Sequence, residues 1–350
     1  MKTFSKTAIV AVGIAVLAAA APFVQGTTYH VTKSVPLGID GGWDYLTVDS
    51  DAKRLYISRG GANMVQVVDL ATDALVGTID STRGVHGIAL APEFNRGFTS
   101  NGGDSTVTIF DLKSLKQIAK ITVTGRNPDA LLYDPFTKRV FTFNHTGRNT
   151  TAIDAATGKV LGTAKTDGVM EAGATDLAGT IFANDEDSSR VFVFDAKTLA
   201  IKAVWPLVGC TAPTGMAIDR AHKRLFAGCN ESKTVTVVDY TNGKTVASIP
   251  ICAGTDAAAF DVAQQLVFAS CGDGNIAVIH EDAPDKYTVL GMAKTENRAR
   301  TMALDEKTHK LYTVTAQYNA PPAPPAGAPA GRGGRATMVP GTFHLLVLEK

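Results

Sequence analysis

The stretch ALLYDPFTKRVFTFNHTGRNTTAIDAATGKVLGTAKT, residues 130–166, contains four short runs of apolar and β-branched residues separated by Gly, Asn, Asp and Pro. Short runs of this kind, bounded by turn residues, predict antiparallel β-strands. The first run ends at Asp134, the second places Phe141 near its start, and the third ends at Asp154. A unit of four short strands in about 40 residues is typical of one blade of a β-propeller.

The same unit recurs along the chain, with its first strand ending every 42 to 44 residues. These ends are Asp49, Ala91, Asp134, Asp176, Asp219, Asp261 and Asp305. The second strands share a column of aromatic residues, Tyr56, Phe98, Phe141, Phe182, Phe226, Phe268 and Tyr312, which we interpret as packing between blades. Third strands end in an acid in every unit except one, which has His280. The period predicts an all-β, seven-bladed β-propeller with four-stranded blades.

The seventh unit stops after its third strand, and the segment YHVTKSVPL at 29–37 has the missing fourth-strand pattern. We expect it to complete the last blade, because pairing the two ends of the chain leaves no open sheet edge. A single propeller at 27–350 replaces the two domains that about 150 residues per domain suggest. The expected blades are about 39–80, 81–124, 125–167, 168–208, 209–252, 253–296, and 297–350 together with 29–37.

Residues 1–26 resemble a secretory signal peptide. Lys2 and Lys6 precede a 17-residue apolar run at 8–24, which small and polar residues follow. Cleavage is expected after Gly26, with the alanine cluster at 18–21 as the alternative, and an uncleaved membrane anchor is the competing interpretation. A signal peptide predicts a periplasmic or secreted protein. No later segment is long and apolar enough to predict a membrane span.

The composition supports a neutral, folded protein. Hydrophobic residues make up 45% of the chain, which excludes disorder. Lys and Arg number 34 against 33 Asp and Glu, and removing 1–26 leaves 32 against 33, a net charge of −1. This balance disfavours nucleic-acid binding driven by bulk charge. We expect the mature protein to be a monomer.

Second-strand segments carry a resemblance to a known family. The runs Tyr56-Ile57-Ser58-Arg59, Phe98-Thr99-Ser100-Asn101 and Phe141-Thr142-Phe143-Asn144 resemble the Tyr-Val-Thr-Asn motif of the YVTN, or YncE-like, family of exported bacterial β-propellers. The segments GCTAPTGMAIDRAHKRLFAGCN, HEDAPDKYTV and ARTMALDEKTHKLY are also similar to that family, so the resemblance covers about 29–350. It implies the propeller fold and export and assigns no reaction. The motif's Asn is replaced by Arg59, Asp185, Cys229, Cys271 and Thr315.

The four cysteines form two pairs with equal spacing. Cys210 and Cys252 occupy equivalent positions before a first strand, and Cys229 and Cys271 each close a second strand 19 residues later. In a propeller these two positions lie on the same face, so we predict disulfides Cys210–Cys229 and Cys252–Cys271. A metal site or a redox pair is the alternative, but no C-x-x-C motif is present.

A ring of polar residues is expected at one mouth of the central channel, because first strands line the axis of a propeller. Five residues before each first-strand end stand Asp44, His86, Asp129, Glu171, Thr214, Asp256 and Arg300. Four carboxylates, an imidazole and a guanidinium in a narrow space should have perturbed pKa values. Trp43 adds an aromatic wall, and Asn101, Asn144 and Asp185 are expected to form an outer polar tier of the same mouth.

Three functions are compatible with this ring. The first is a binding protein that recognises a small ligand, a divalent metal ion or a protein segment at the mouth. The second, based on likeness to propeller lactonases, is a metal-dependent hydrolase in which Asp129, Glu171 and Asp256 hold the metal and His86 acts as the base. The third is an interaction platform that uses only the outer loops. A water-filled tunnel with no ligand is the alternative to all three.

Two further features are weaker. The Pro-, Ala- and Gly-rich stretch 319–341 is expected to be a flexible loop on the mouth face, where Arg332 and Arg335 either cover the ring or belong to a passive insertion. His222 and His309 are expected in solvated turns on the opposite face.

Overall fold

The computed structural model of the protein describes residues 28–321 and 336–350. The predicted signal peptide at 1–26 and most of the 319–341 loop, including Arg332 and Arg335, lie outside the described residues. No helix in the described ranges is long and apolar enough to cross a membrane.

The chain forms seven four-stranded antiparallel sheets, which confirms the predicted seven-bladed propeller. Blade 1 contains β2 (Leu46–Asp49), β3 (Arg54–Arg59), β4 (Met64–Asp69) and β5 (Ala74–Ile79). Blade 2 contains β6 (Val85–Ala91), β7 (Arg96–Asn101), β8 (Thr106–Asp111) and β9 (Gln117–Thr122). Blade 3 contains β10 (Pro128–Asp134), β11 (Arg139–Asn144), β12 (Asn149–Asp154) and β13 (Val160–Lys165). Blade 4 contains β14 (Met170–Thr175), β15 (Thr180–Asp185), β16 (Arg190–Asp195) and β17 (Ile201–Pro206).

The remaining blades follow the same order. Blade 5 contains β18 (Pro213–Asp219), β19 (Arg224–Cys229), β20 (Thr234–Asp239) and β21 (Lys244–Pro250). Blade 6 contains β22 (Thr255–Asp261), β23 (Leu266–Cys271), β24 (Asn275–Ala283) and β25 (Lys286–Lys294). Blade 7 contains β26 (Met302–Asp305), β27 (Lys310–Thr315) and β28 (His344–Glu349). Its fourth strand is β1 (His30–Pro36), which pairs antiparallel with β28 from His30 opposite Glu349 to Pro36 opposite His344.

The core lies between neighbouring blades, and the aromatic column is its centre. All seven rings of the column are at most 3% exposed, as predicted. Phe226, for example, stacks on Phe260 of the next blade with ring centroids 5.2 Å apart. Each blade is therefore stabilised mainly by burying apolar area against its two neighbours, so a single blade has no core of its own.

The acid that ends most third strands has a local role in the turn. Asp111 Oδ1 accepts backbone hydrogen bonds from Lys113 (3.0 Å) and Ser114 (2.7 Å), and the Ser114 hydroxyl also donates to it. Asp195 repeats this arrangement with the amides of Lys197 and Thr198. A carboxylate that accepts the amides two and three residues further on stabilises a tight turn, which explains why the column is acidic.

Both predicted disulfides are present. Cys210–Cys229 and Cys252–Cys271 have Cα–Cα distances of 5.4 and 5.7 Å. Each connects the loop that enters a blade to the end of that blade's second strand, on the face where the first strands begin. We refer to this side of the ring as the mouth face.

Candidate metal centre at the channel mouth

Local irregularities in the first strands position the ring residues. In five blades the pairing of first and second strands shifts at the ring position, as between Pro128 and Leu131 and between Met170 and Gly173. Asp129 and Glu171 lie inside these β-bulges. A bulge turns one side chain away from the regular alternation of the strand, so it can aim a polar group along the channel instead of into the blade interface.

Three predicted ring residues meet in what we call the Asp44 cluster, made of Asp44, His86 and Asp129. His86 Nδ1 is 2.7 Å from Asp44 Oδ2 and 3.8 Å from Asp129 Oδ1. One potential ligand atom from each residue lies within 4.8 Å of the other two. The cluster joins three consecutive blades, and Asp129 is only 8% exposed.

A second group, the Glu171 cluster, contains His145, Glu171 and Glu186. His145 Nε2 is 3.4 Å from a carboxylate oxygen of each acid. His145 and Glu186 lie outside the predicted ring, which contains first-strand positions only. Both directly follow a second strand, and the residues at that position are mostly Gly, Ala or Asn: Gly60, Gly102, His145, Glu186, Asn230, Gly272 and Ala316. The two titratable residues in a column of mostly small or neutral residues are the sequence signal that indicates this cluster.

Tyr45 is also absent from the predicted ring, although it directly follows Asp44. Its hydroxyl donates to Glu171 Oε2 (3.3 Å), so the side chain reaches from blade 1 across to blade 4. The same position in the other blades holds only Gly, Ala or Thr, namely Gly87, Ala130, Ala172, Gly215, Ala257 and Thr301. Tyr45 lines a cavity of about 200 Å³ in the channel below the two clusters. The phenol ring therefore narrows the channel under the mouth.

Asp256 and Arg300 pair with each other and belong to neither cluster. Arg300 Nη1 contacts Asp256 Oδ2, and its Nη2 lies 3.7 Å from Asp44 Oδ1 and donates to the Trp43 carbonyl (3.2 Å). Asp129, Glu171 and Asp256, which we expected to share one metal, are thus divided among three groups. Thr214 is 6% exposed and its hydroxyl donates to the Thr255 carbonyl (2.8 Å), so this ring residue bonds to the backbone of the next blade.

Three residues of the two clusters, Asp129, Glu171 and His86, have perturbed pKa values. Burial raises the pKa of Asp129 to about 6, and the charge on Asp44 adds to the effect. Burial and the charges on Asp129 and Glu186 raise the pKa of Glu171 well above its usual range. Burial opposes a charged His86, but its hydrogen bond with Asp44 and the charge on Asp129 outweigh burial and raise its pKa. The two clusters therefore form one electrostatic unit, which we call the acidic mouth.

The expected outer polar tier is wrong. Asn101, Asn144 and Asp185 are completely buried inside their blades. The Asn101 amide donates to the hydroxyls of Thr106 and Thr108 in the adjacent third strand (2.9 Å each). The ends of second strands face third strands at this point. The polar side chains of the two strands therefore satisfy each other's hydrogen-bonding groups within the blade and do not reach the channel.

The histidines on the opposite face are less solvated than expected. His222 Nδ1 is 2.7 Å from Asp219 and 3.5 Å from Glu281, and His309 Nδ1 is 2.7 Å from Asp261. Both imidazoles are only about a third exposed, at 38% and 34%. Each is held by the acid that ends a first strand. Asp219, His222 and Glu281 form a third group with metal-ligand spacing, buried among blades 5 and 6.

Replacing Glu281 by glutamine is expected to change the pH dependence of stability. Burial, repulsion from Asp219 and their shared hydrogen bond raise the pKa of Glu281 from 4.5 to about 7, against the opposing effect of His222. A raised carboxyl pKa adds stability that is fully present below pH 4.5 and is lost as the pH rises through about 7. This contribution is about 3 kcal/mol.

The Glu281→Gln variant should therefore equal the wild type near pH 4 and exceed it in unfolding free energy near pH 8. Urea unfolding of both proteins across this range measures the difference. Glu231→Gln, at an exposed acid of the same blade pair, is the matched control and should change neither value. If the unfolding free energies of the wild type and Glu281→Gln changed in parallel with pH, the raised pKa assigned to Glu281 would be contradicted.

Comparisons with known proteins support the fold alone. No family model matches the chain, and no curated protein matches it. Among solved structures, a chain from "Crystal Structure of Mitotic Checkpoint Complex" is similar with a TM-score of 0.72 at 13% sequence identity, covering 88% of this chain and 96% of that chain. Similarity at this identity shows a shared propeller architecture. Membership of the YVTN family stays a prediction from the motifs.

Proposed function

We propose that this seven-bladed β-propeller is an exported metal-binding protein whose acidic mouth takes a divalent transition-metal ion. The observation that carries the proposal is the pair of adjoining clusters, each with one imidazole and two carboxylates whose ligand atoms lie within 4.8 Å of one another. Imidazole with carboxylate suits Zn²⁺ or Mn²⁺ better than Mg²⁺ or Ca²⁺, which prefer oxygen ligands alone.

The charge balance of the acidic mouth supports binding of a cation. Asp44, Asp129, Glu171 and Glu186 bring four carboxylates together. The Arg300 guanidinium lies beside Asp44 but contacts Asp256 as well, so it offsets only part of this charge. The raised pKa values of Asp129 and Glu171 follow from burial and from the mutual repulsion of these acids. A bound divalent ion would offset that repulsion and favour the ionised carboxylates.

Two other observations support the remaining parts of the proposal. Tyr45 narrows the channel below the clusters, so a ligand reaches them from the mouth face. The two disulfides are typical of proteins in an oxidising compartment, which agrees with the predicted signal peptide at 1–26.

A metal-dependent hydrolase is the second candidate. The observation that favours it is the 2.7 Å contact between His86 and Asp44, because a carboxylate beside an imidazole is the usual arrangement that orients a general base. In this role His86 would move a proton and Glu171, Glu186 and His145 would hold the metal. Lactone or ester hydrolysis that is lost in His86→Gln while metal binding persists would select this function over simple binding.

Titration calorimetry with Zn²⁺ and Mn²⁺ tests the metal site. We expect saturable binding by the wild type and at least a 100-fold weaker affinity in the Asp129→Asn, Glu171→Gln double variant, because each cluster loses a charged ligand. The midpoint temperature of thermal unfolding of the metal-free double variant should not be lower than that of the wild type, because the two substitutions remove repulsion between carboxylates.

Two controls separate the mouth from other acids. Glu281→Gln disables the third group of potential ligands on the opposite face, and Asp104→Asn removes an acid on the mouth face that pairs with Lys120. Both should bind metal as the wild type does. Metal affinity that is unchanged in the double variant, or lost only in Glu281→Gln, would overturn the proposed site. Absence of saturable binding by the wild type would favour the platform that uses only outer loops.

A further inference from the structure

A second cavity lies beside the acidic mouth, between blades 6, 7 and 1. Its volume is about 220 Å³. We call it the Trp43 cavity, and it is lined by Gly42, Trp43, Gly272, Arg298, Arg300 and Tyr318. Pockets for drug-sized ligands occupy about 300–1,000 Å³, so this cavity suits a smaller molecule.

The cavity carries positive charge, in contrast to the mouth next to it. Arg298 is exposed, and in the described ranges its guanidinium has no carboxylate within ion-pair distance. Arg300 shares its charge with Asp256 and lies 3.7 Å from Asp44. The Arg298 guanidinium thus has no acidic partner, and Arg300 lies between the cavity and the acidic mouth. This arrangement favours a ligand with a single negative charge.

Aromatic side chains form the walls. The Trp43 ring packs 5.4 Å from Phe343 and 6.4 Å from Tyr318 between centroids, and Arg298 lies 4.0 Å over the Tyr318 ring. Trp43 is only 8% exposed, yet its indole N–H has no hydrogen-bond acceptor among the described residues. A buried donor of this kind is costly unless something accepts its hydrogen bond.

We propose that the Trp43 cavity binds a small aromatic carboxylate. The guanidinium of Arg298 would hold the carboxylate through two parallel hydrogen bonds, and Trp43 and Tyr318 would contact the ring of the ligand. A planar ring matches these walls better than an aliphatic chain does, and the single uncompensated charge matches one carboxylate. The proposal uses residues outside both metal clusters and does not depend on metal binding at the acidic mouth.

Benzoate is the probe, and tryptophan fluorescence is the measurement. The chain has two tryptophans, so a Trp205→Phe background leaves Trp43 as the single reporter in the cavity wall. Titrated in EDTA, this protein should show a saturable change in Trp43 emission. Arg298→Gln in the same background should weaken benzoate binding at least tenfold, because it removes the only unpaired guanidinium of the cavity's described lining. Tyr318→Leu should also weaken it.

Arg83→Gln, at an exposed arginine on the same face, is the matched control and should bind benzoate as its parent does. Equal affinity for acetate or inorganic phosphate would overturn the aromatic specificity. Benzoate affinity that is unchanged in both Arg298→Gln and Tyr318→Leu, or no saturable response at all, would overturn the site. Because EDTA is present throughout, these outcomes are independent of whether the acidic mouth binds a metal.

Discussion

A variant without disulfides is expected to lose about 6 kcal/mol of unfolding free energy, with about 3 kcal/mol from each bond. The replaced residues are Cys210, Cys229, Cys252 and Cys271, each changed to alanine. Each bond joins residues 19 positions apart, so it closes a loop near 20 residues and restricts the unfolded chain accordingly. The bonds lie in separate sheets, and we expect their effects to be nearly additive. Urea unfolding of the wild type, the two single-pair variants and the four-alanine variant measures these losses.

Reducing agent supplies the matched control for this experiment. It should lower the stability of the wild type toward that of the four-alanine variant and leave the variant itself unchanged. A single-pair variant should respond to reductant by about half as much as the wild type. A loss below about 1 kcal/mol for the four-alanine variant would show that these bonds do not restrict the unfolded state as the chain-entropy account requires.

Replacing Arg59 by methionine is expected to cost about 4 kcal/mol of unfolding free energy. Arg59 is completely buried, and burial lowers its pKa to about 10. Its guanidinium donates to Gln66 and to the carbonyls of Gly38, Ile39 and Gly41, and it lies 3.4 Å from the centroid of the Phe343 ring. Methionine fills similar volume but leaves these buried acceptors without a donor.

The location of Arg59 makes the expected effect specific. The carbonyls that it binds belong to the connection between β1 and β2, and Phe343 directly precedes β28. Hydrogen exchange of the β1 amides should therefore accelerate in Arg59→Met more than exchange in blade 4 does. Arg83→Met, at an exposed arginine of the mouth face, should leave stability and exchange unchanged. Uniform acceleration across all blades would contradict a role for Arg59 in holding β1.

Arg59 also shows the limit of a comparison with the family motif. In the sequence it is a departure from the Asn of the Tyr-Val-Thr-Asn motif. In the structure, Asn101 and Asn144 at the same position bond to side chains of their own third strands. Arg59 bonds to Gln66 of its third strand as well, and in addition to carbonyls of a connecting segment of the chain. The replacement stands next to the junction of blades 7 and 1, where the chain ends meet. The repeat predicts which strands meet at that junction but not the side chain that holds it, because the junction occurs only once in the ring.

The candidate site was predictable in part. Register counting placed Asp44, His86, Asp129 and Glu171 in one column, and the structure places all four in the acidic mouth. Register counting could not show that Asp256 pairs with Arg300 or that Thr214 bonds to a backbone carbonyl, because both contacts depend on which neighbour lies within reach. His145, Glu186 and Tyr45 belong to other columns, and only the curvature of the ring brings their side chains toward the same point.

The sequence by itself determined the number of blades, the strand order within each blade, the aromatic core column and both disulfides. These features follow from local periodicity, because every repeat must bury the same face against its neighbour and turn at the same positions. The tertiary structure alone decided the two clusters of potential metal ligands, the position of the Tyr45 side chain across the channel and the positively charged Trp43 cavity beside the acidic mouth. Those features depend on side chains that two or more blades contribute, and their distances are set only when the blades pack into the ring.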